Sequence, residues 1–153
     1  LGGMGDGQFL PDETVTREQL AKMLSVAFAI TESSEVPFDD VQQSAWYAPY
    51  VAAAQQAGFV QGTDQNLFEP EKEITRQDMA VMLFRVLEIK LISLPLGTET
   101  VLKDADTISD YAKAAVENLS GAGVINGTEG GNFEPLSPAS RAQAVKMIYE
   151  MIK

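Results

Sequence analysis

Three stretches of the chain carry apolar residues at i, i+3, i+4, i+7 and i+8. They are Leu20, Met23, Leu24, Ala27 and Phe28; Met79, Met82, Leu83, Val86 and Leu87; and Ala144, Met147, Ile148, Met151 and Ile152. This spacing gathers the apolar side chains into one stripe of an α-helix and leaves the rest of the circumference polar. Each stretch therefore predicts a helix that buries a single face, and the methionines in the stripe read as core packing. The helix starts are legible too. Thr16, Thr75 and Ser140 stand where an N-cap hydroxyl is needed, and Gln19, Asp78 and Gln143 follow three residues later, a capping box or a close variant of one.

The surroundings of these helices recur. Phe9-Leu10-Pro11 leads to Val15-Thr16-Arg17, Phe68-Glu69-Pro70 to Ile74-Thr75-Arg76, and Phe133-Glu134-Pro135 to Ala139-Ser140-Arg141, with offsets of 59 and 65 residues held across both elements. A second block occurs twice: Phe38-Asp39-Asp40-Val41 with Trp46, and Leu102-Lys103-Asp104-Ala105 with Tyr111. Its offset is 64 as far as Asp104 and 65 from Tyr111 onward, which places one inserted residue in the loop between them. Gly58 and Gly62 then match Gly123 and Gly127. A fixed period of this size marks a repeat architecture.

The unit reads as an acidic and apolar opening, a first helix at about 44–57 or 109–122, a glycine turn, a Phe-x-Pro segment and a second helix. Pro49 is tolerated in a first turn, Gly58 and Gly123 break their helices, and residues 62–66, 127–131 and 5–7 carry turn chemistry. Phe9, Phe68 and Phe133 read as core plugs. The copies divide as 1–34, 35–94 and 95–153 of one domain, and the first lacks its front half because Leu1 aligns with Val60. One amphipathic helix cannot cover its own apolar face, so three equivalent stripes meet most simply around a common pseudo-threefold axis. The expected fold is all-α, a pseudo-threefold helical bundle joined by ordered Gly/Pro loops, with the first helices outside and grooves between them.

Composition narrows the chemistry. The chain has no cysteine and no histidine, which removes disulfides, thiol nucleophiles, histidine acid–base chemistry and most zinc sites, so neither metal nor cofactor is expected. An enzyme would have to use a pair of carboxylates, and nothing singles out two of them. The longest apolar run, residues 80–94, is broken by Arg85, Glu88 and Lys90 and falls short of the ~18–20 residues of a membrane span. Leu1 opens a glycine-rich turn and not a basic leader, so the sequence reads as a portion of something larger. A net charge of −11 argues against nucleic acid and anionic membranes, whose binding leans on excess Lys and Arg. An anionic ligand would have to be held at one local point.

The motifs together resemble the S-layer homology repeat, with its Asp and aromatic opening, Gly-x-x-x-Gly turn, Phe-x-Pro segment and Ile-Thr-Arg-Ala-Glu-like helix start. The last motif stands here as Val15-Thr16-Arg17-Glu18-Gln19, Ile74-Thr75-Arg76-Gln77-Asp78 and Ala139-Ser140-Arg141-Ala142-Gln143. The likeness covers essentially the whole chain in three concordant copies. It departs from the pattern at Ala139-Ser140, where Ile-Thr is usual, and at Tyr111, where the other copy has tryptophan. The resemblance implies a three-repeat spindle with prongs, its central bundle made of the second helices. It also implies a non-catalytic cell-wall anchor, extracellular at the bacterial surface or S-layer. The implied partner is a peptidoglycan-linked secondary cell-wall polysaccharide carrying a pyruvate-ketal amino sugar. The family's helix-start arginine carries over to Arg17, Arg76 and Arg141.

An arginine in the first helical turn opposes the helix dipole by roughly 0.3–1 kcal/mol when exposed. Three such placements suggest another demand: free N–H groups at a helix start plus a planar guanidinium form a carboxylate receptor. The competing reading is that each arginine locks neighbouring copies together through an acid. Trp46 and Tyr111 are candidates to stack on a sugar ring, or to anchor their helices. Gly62 and Gly127 either let backbone approach a ligand or serve a turn at positive φ. Asp40 and Asp104 are candidate acceptors for sugar hydroxyls, although such residues more often orient a loop. Thr16, Thr75 and Ser140 complete the expected site beside the arginines. The alternative function is a protein–protein or self-assembly module, in which an exposed apolar stripe on residues 16–30 is covered by another chain.

Overall fold

The computed structural model describes residues 13–30, 38–94, 101–128 and 130–152. Phe9-Leu10-Pro11 and the glycines at 5–7 lie outside them. Among the described residues there are five α-helices: α1 Arg17–Ala27, α2 Ala48–Gln56, α3 Arg76–Ile89, α4 Asp110–Gly121 and α5 Arg141–Ile152, with a single 3₁₀ turn, Ala105–Thr107, ahead of α4. No strand longer than an isolated bridge occurs among them. The chain is all-α.

The second helices α1, α3 and α5 begin where the caps place them. Thr16 Oγ1 accepts from the Gln19 N–H at 3.4 Å while the Gln19 side chain accepts from the Thr16 N–H at 3.0 Å, a complete capping box. Ser140 and Gln143 form the same reciprocal pair. Thr75 receives the Asp78 N–H at 3.2 Å. The first helix of the middle copy is shorter than its sequence suggests, running from Ala48 and not from residue 44. Pro49 has no N–H to donate back into a preceding turn, so it confines the helix start to the one or two residues before it. Residues 43–47 form a turn instead.

The helices α1 to α4 end alike. In each, the residue after the C-cap takes a left-handed backbone, and the following N–H reaches back five residues: Ile30 to Ser25, Phe59 to Ala54, Ile92 to Leu87 and Val124 to Leu119. Gly58 and Gly123 fill that position after α2 and α4, at φ 87° and 80°, as their spacing predicted. After α1 and α3 it is held by Ala29 and Leu91, at φ 50° and 56°.

The copies join at a closed ring of three backbone hydrogen bonds. The Val15 N–H donates to the Ala139 carbonyl at 3.0 Å, the Ala139 N–H to Ile74 at 2.9 Å and the Ile74 N–H to Val15 at 2.9 Å. All three side chains are fully or almost fully buried. A ring with one donor and one acceptor from each copy leaves no polar group unpaired on the axis, which a buried junction requires. Around it runs one continuous apolar core that includes Phe59, Phe68, Phe133, Leu24, Leu83 and Ile148.

The three apolar stripes do not meet only one another. Helix α2 packs along α1 and α4 along α3, while α5 touches both α1 and α3. The stripe on α1 is consequently covered, with Leu20, Ala21, Met23 and Leu24 buried, and the expectation of an exposed apolar face on residues 16–30 is corrected. Helix α5 has no comparable partner among the described residues, and Tyr149 and Ile152 on it are exposed.

Candidate functional site

Two of the helix-start arginines, Arg17 and Arg76, are seated on the Phe-x-Pro segment of the next copy. Arg17 donates from Nε to the Phe68 carbonyl at 2.8 Å and from Nη2 to the Gln61 carbonyl at 3.1 Å, and its guanidinium lies 4.9 Å above the Phe68 ring. Arg76 donates from Nε to the Phe133 carbonyl at 2.6 Å and lies 5.1 Å above that ring. The two arginines thus join neighbouring copies through main-chain carbonyls and an aromatic face, not through an acid. Burial pulls both guanidinium pKa values below the ordinary one, partly offset by nearby carboxylates: Asp78 and Glu69 for Arg17, Glu134 and Asp104 for Arg76. Both groups stay charged.

The same segments are held from the other side by an aspartate. Asp40 receives the N–H groups of Phe68 and Glu69 at 2.8 and 2.7 Å, and Asp104 receives those of Phe133 and Glu134 at 2.7 and 2.8 Å. Glu69 and Glu134 sit at φ 60° and 59°, so the paired acceptor stabilises a left-handed turn in a residue that disfavours it. For Asp104, burial works against ionisation. The two backbone donors and the charge of Arg76 outweigh it, and the carboxyl is held below its usual range. Both aspartates therefore act as loop clamps.

The free N–H groups expected at the helix starts are not free. Arg17 and Glu18 donate theirs to the carbonyls of Lys72 and Pro70, Arg76 and Gln77 theirs to Ser137 and Pro135, and Arg141 its own to Glu13. The cap hydroxyls of Thr16, Thr75 and Ser140 take the next donor. What the starts of α1 and α3 still offer a ligand is the outer edge of the guanidinium.

Two grooves open beside these arginines. The first, about 360 Å³, runs from Arg17 past the Gln61-Gly62-Thr63 turn to Asp78, Arg85 and Tyr111. The second, about 210 Å³, runs from Arg76 past Asn126-Gly127-Thr128 to Gln143, Lys146 and Met147. By register these are the same place in successive pairs of copies. Arg141 begins the third such place and is buried, but Gly3, which would face it by register, lies outside the described residues.

The other expected residues divide. Gly62 and Gly127 both border their grooves, and neither has a positive φ. A Cβ on Gly62 would lie 2.4 Å from Phe38 Cε1, so that glycine is required by close packing beneath the turn. Tyr111 lines the first groove and is 62% exposed. Its hydroxyl donates to Asp78 Oδ1 and accepts from Gln77 Nε2 at 3.2 Å, and burial followed by the Asp78 interaction pushes its pKa up to about 12. Trp46 lines neither groove. It sits 56% exposed beside α1, with Lys22 Nζ 5.4 Å over its ring.

Gln77, Arg85 and Lys146 were not expected from the sequence. Gln77 bonds both Ser109 and Tyr111 at the start of α4, and Arg85 donates to the Phe59 carbonyl at 3.1 Å. The signal that could have found Arg85 and Lys146 is their spacing from Asp78 and Gln143, one or two turns on along the polar flank of the stripe. Among the described residues no cluster could hold a metal ion, and no helix is long and apolar enough to cross a membrane.

The profile of the S-layer homology domain matches residues 1–21, 37–80 and 101–145, well over half of the chain. The chain is 36% identical over 155 residues to the exoglucanase XynX of Acetivibrio thermocellus, covering 99% of this chain and 14% of that protein. It is 30% identical to the surface-layer 125 kDa protein of Lysinibacillus sphaericus, over 92% of this chain and 12% of that protein. It is 28% identical to the cellulosome-anchoring protein of Acetivibrio thermocellus, over 97% of this chain and 34% of that protein. The chain therefore spans between about a tenth and a third of the length of these relatives. With the repeated motifs, the bundle and the matched profile in agreement, the chain belongs to the S-layer homology domain family and is a cell-surface anchoring module.

Proposed function

We propose that this non-catalytic module holds its parent protein on a peptidoglycan-linked secondary cell-wall polysaccharide. The acidic group it recognises is the carboxylate of a pyruvate-ketal amino sugar, and the ligand lies in the grooves between copies. The observation that carries this reading is the pair of arginines whose Nε is fixed on a neighbouring carbonyl while the guanidinium lines an open groove. A planar cation so oriented pairs with a carboxylate without first losing rotamer freedom, and a partly buried setting strengthens the attraction over its value in water. The surrounding charge of −11 repels polyanions that lack a group shaped for the groove.

The remaining residues take supporting roles. Gly62 and Gly127 keep one wall down to bare backbone, Tyr111 offers a ring face fixed in place by its hydroxyl, and Thr16, Thr75 and Ser140 set the helix starts that carry the arginines. Residues 1–34, 35–94 and 95–153 act as the three copies of one domain. Two of the relatives are a surface-layer protein and a cellulosome-anchoring protein, which accords with attachment of one protein to a wall.

Calorimetric titration tests the proposal, using a pyruvate-ketal N-acetylmannosamine glycoside against the same glycoside without pyruvate. The carboxylated sugar should bind and its counterpart should not, and Arg76→Ala should abolish most of the difference. Equal affinity for the two sugars would refute the proposal.

A further inference from the structure

The two grooves occupy equivalent places between copies and differ in their balance of charge. The first is lined by Arg17, Lys72 and Arg85 and by Glu69, Glu73 and Asp78, three cations against three acids. The second is lined by Arg76 and Lys146 and, among the described residues, by no acid. At matching positions, offset by 65, Gln143 replaces Asp78 and Lys146 replaces Val81. One substitution removes an acid and the other adds a cation.

The arginines differ in the same direction. In the first groove Arg17 is fixed at two nitrogens, by Phe68 and Gln61, and the acid that acts most strongly on it is Asp78, across the groove. In the second groove Arg76 is held only at Nε, and its side chain is more than nine-tenths buried. No protein partner takes either of its terminal nitrogens among the described residues. The acids that act on it are Glu134, which is exposed, and Asp104, whose two oxygens already hold backbone donors. Neither terminal nitrogen is among the fully buried polar atoms that lack a partner, so this edge is reached from the groove and is open to a ligand. Lys146, exposed on α5 at the groove mouth, has no ion pair among the described residues.

We infer that, of the two described grooves, the one between Arg76 and the 124–128 turn takes the carboxylate, and that Lys146 is its second cation and sets its selectivity for an acidic sugar. The first groove, balanced in charge, receives an uncharged part of a glycan or none. This rests on the proposed function and adds to it a residue and a choice of groove.

The test uses the full chain, the pyruvate-ketal N-acetylmannosamine glycoside and its pyruvate-free counterpart. Lys146→Gln should weaken the carboxylated sugar roughly fivefold, the upper end for one half-exposed ion pair. It should also flatten the dependence on salt and leave the melting temperature unchanged. Because Arg76→Ala removes an anchor of Phe133, the complementary variant is a gain: Asp78→Gln with Val81→Lys should give the first groove a second binding event for the carboxylated sugar. If Lys146→Gln binds like the native chain while Arg17→Gln loses the sugar, the assignment of the groove is overturned and the anchoring proposal stands. If the native chain does not distinguish the two sugars, both fall.

Discussion

Replacing Asp104 by asparagine should separate loop clamping from any contact with a ligand. The native carboxylate accepts from the Phe133 and Glu134 N–H groups at 2.7 and 2.8 Å. An amide keeps one acceptor and turns an NH₂ toward the other donor. A hydrogen bond to a charged acceptor contributes about 1.5–3 kcal/mol, and an abandoned buried donor costs about 1–3 kcal/mol. The Glu134 end is exposed and water can replace part of that bond, so the expected loss is about 2 kcal/mol. Since a urea m-value is about 1–3 kcal/mol per molar for small proteins, the midpoint should fall by about 1 M at pH 7. The effect depends on pH. The folded carboxyl is held below its ordinary value of 3.8, so the unfolded chain takes up the proton first. The stabilisation is complete above that ordinary value and disappears as pH falls through the folded one. The gap between native and Asp104→Asn should therefore narrow in acid. A loss under 0.5 kcal/mol at pH 7, or an equal gap at pH 3 and pH 7, would refute the clamp.

Two further substitutions test the backbone. Leu91 holds a left-handed position at φ 56° with 89% of its surface exposed. Leu91→Gly relieves a penalty of about 1–2 kcal/mol against an unfolded-state cost of about 0.5–1 kcal/mol, so a thermal melt should show a small gain, and a loss would contradict the assigned C-cap. Gly62→Ala brings a methyl to 2.4 Å from Phe38 Cε1 and 3.0 Å from the Leu67 carbonyl, whereas Gly127→Ala meets nothing nearer than 3.3 Å. The first should cost about 1–3 kcal/mol and the second less; the reverse order in urea unfolding would show that the turns are not packed as described.

Much of the fold is written in local signals. The stripes at Leu20, Met79 and Ala144, the caps at Thr16, Thr75 and Ser140 and the breakers Gly58 and Gly123 each act within a few residues of themselves, and local rules are enough to read them. The start of α2 was legible in principle, because Pro49 alone limits it. The ring joining Val15, Ile74 and Ala139 was not, since each of its bonds spans about 60 residues or more and no local pattern marks a single donor for it. The same distance hid the fate of the helix-start N–H groups. A capped helix predicts that its first donors need partners, but that Lys72, Ser137 and Glu13 of neighbouring copies supply them follows only from the closed threefold arrangement.

The residues that distinguish the grooves were concealed for a different reason. Repeats are found by what they share, and Arg17, Arg76 and Arg141 stand out because they recur. A ligand that chooses between equivalent grooves must respond to positions that do not recur. Asp78 against Gln143 and Val81 against Lys146 are such pairs, one turn apart on the flank that lines the groove. Exchanging them changes local charge by two at positions on the rim of the core, Asp78 and the partly buried Val81, and leaves the fully buried stripe untouched. The shared arginine is tied first to the Phe-x-Pro carbonyl of the next copy. On the proposed function it couples assembly to binding, and an arginine variant should change both together. Selectivity is best read from the unshared flank, where a substitution such as Lys146→Gln alters the field in the groove and leaves the junction between copies intact.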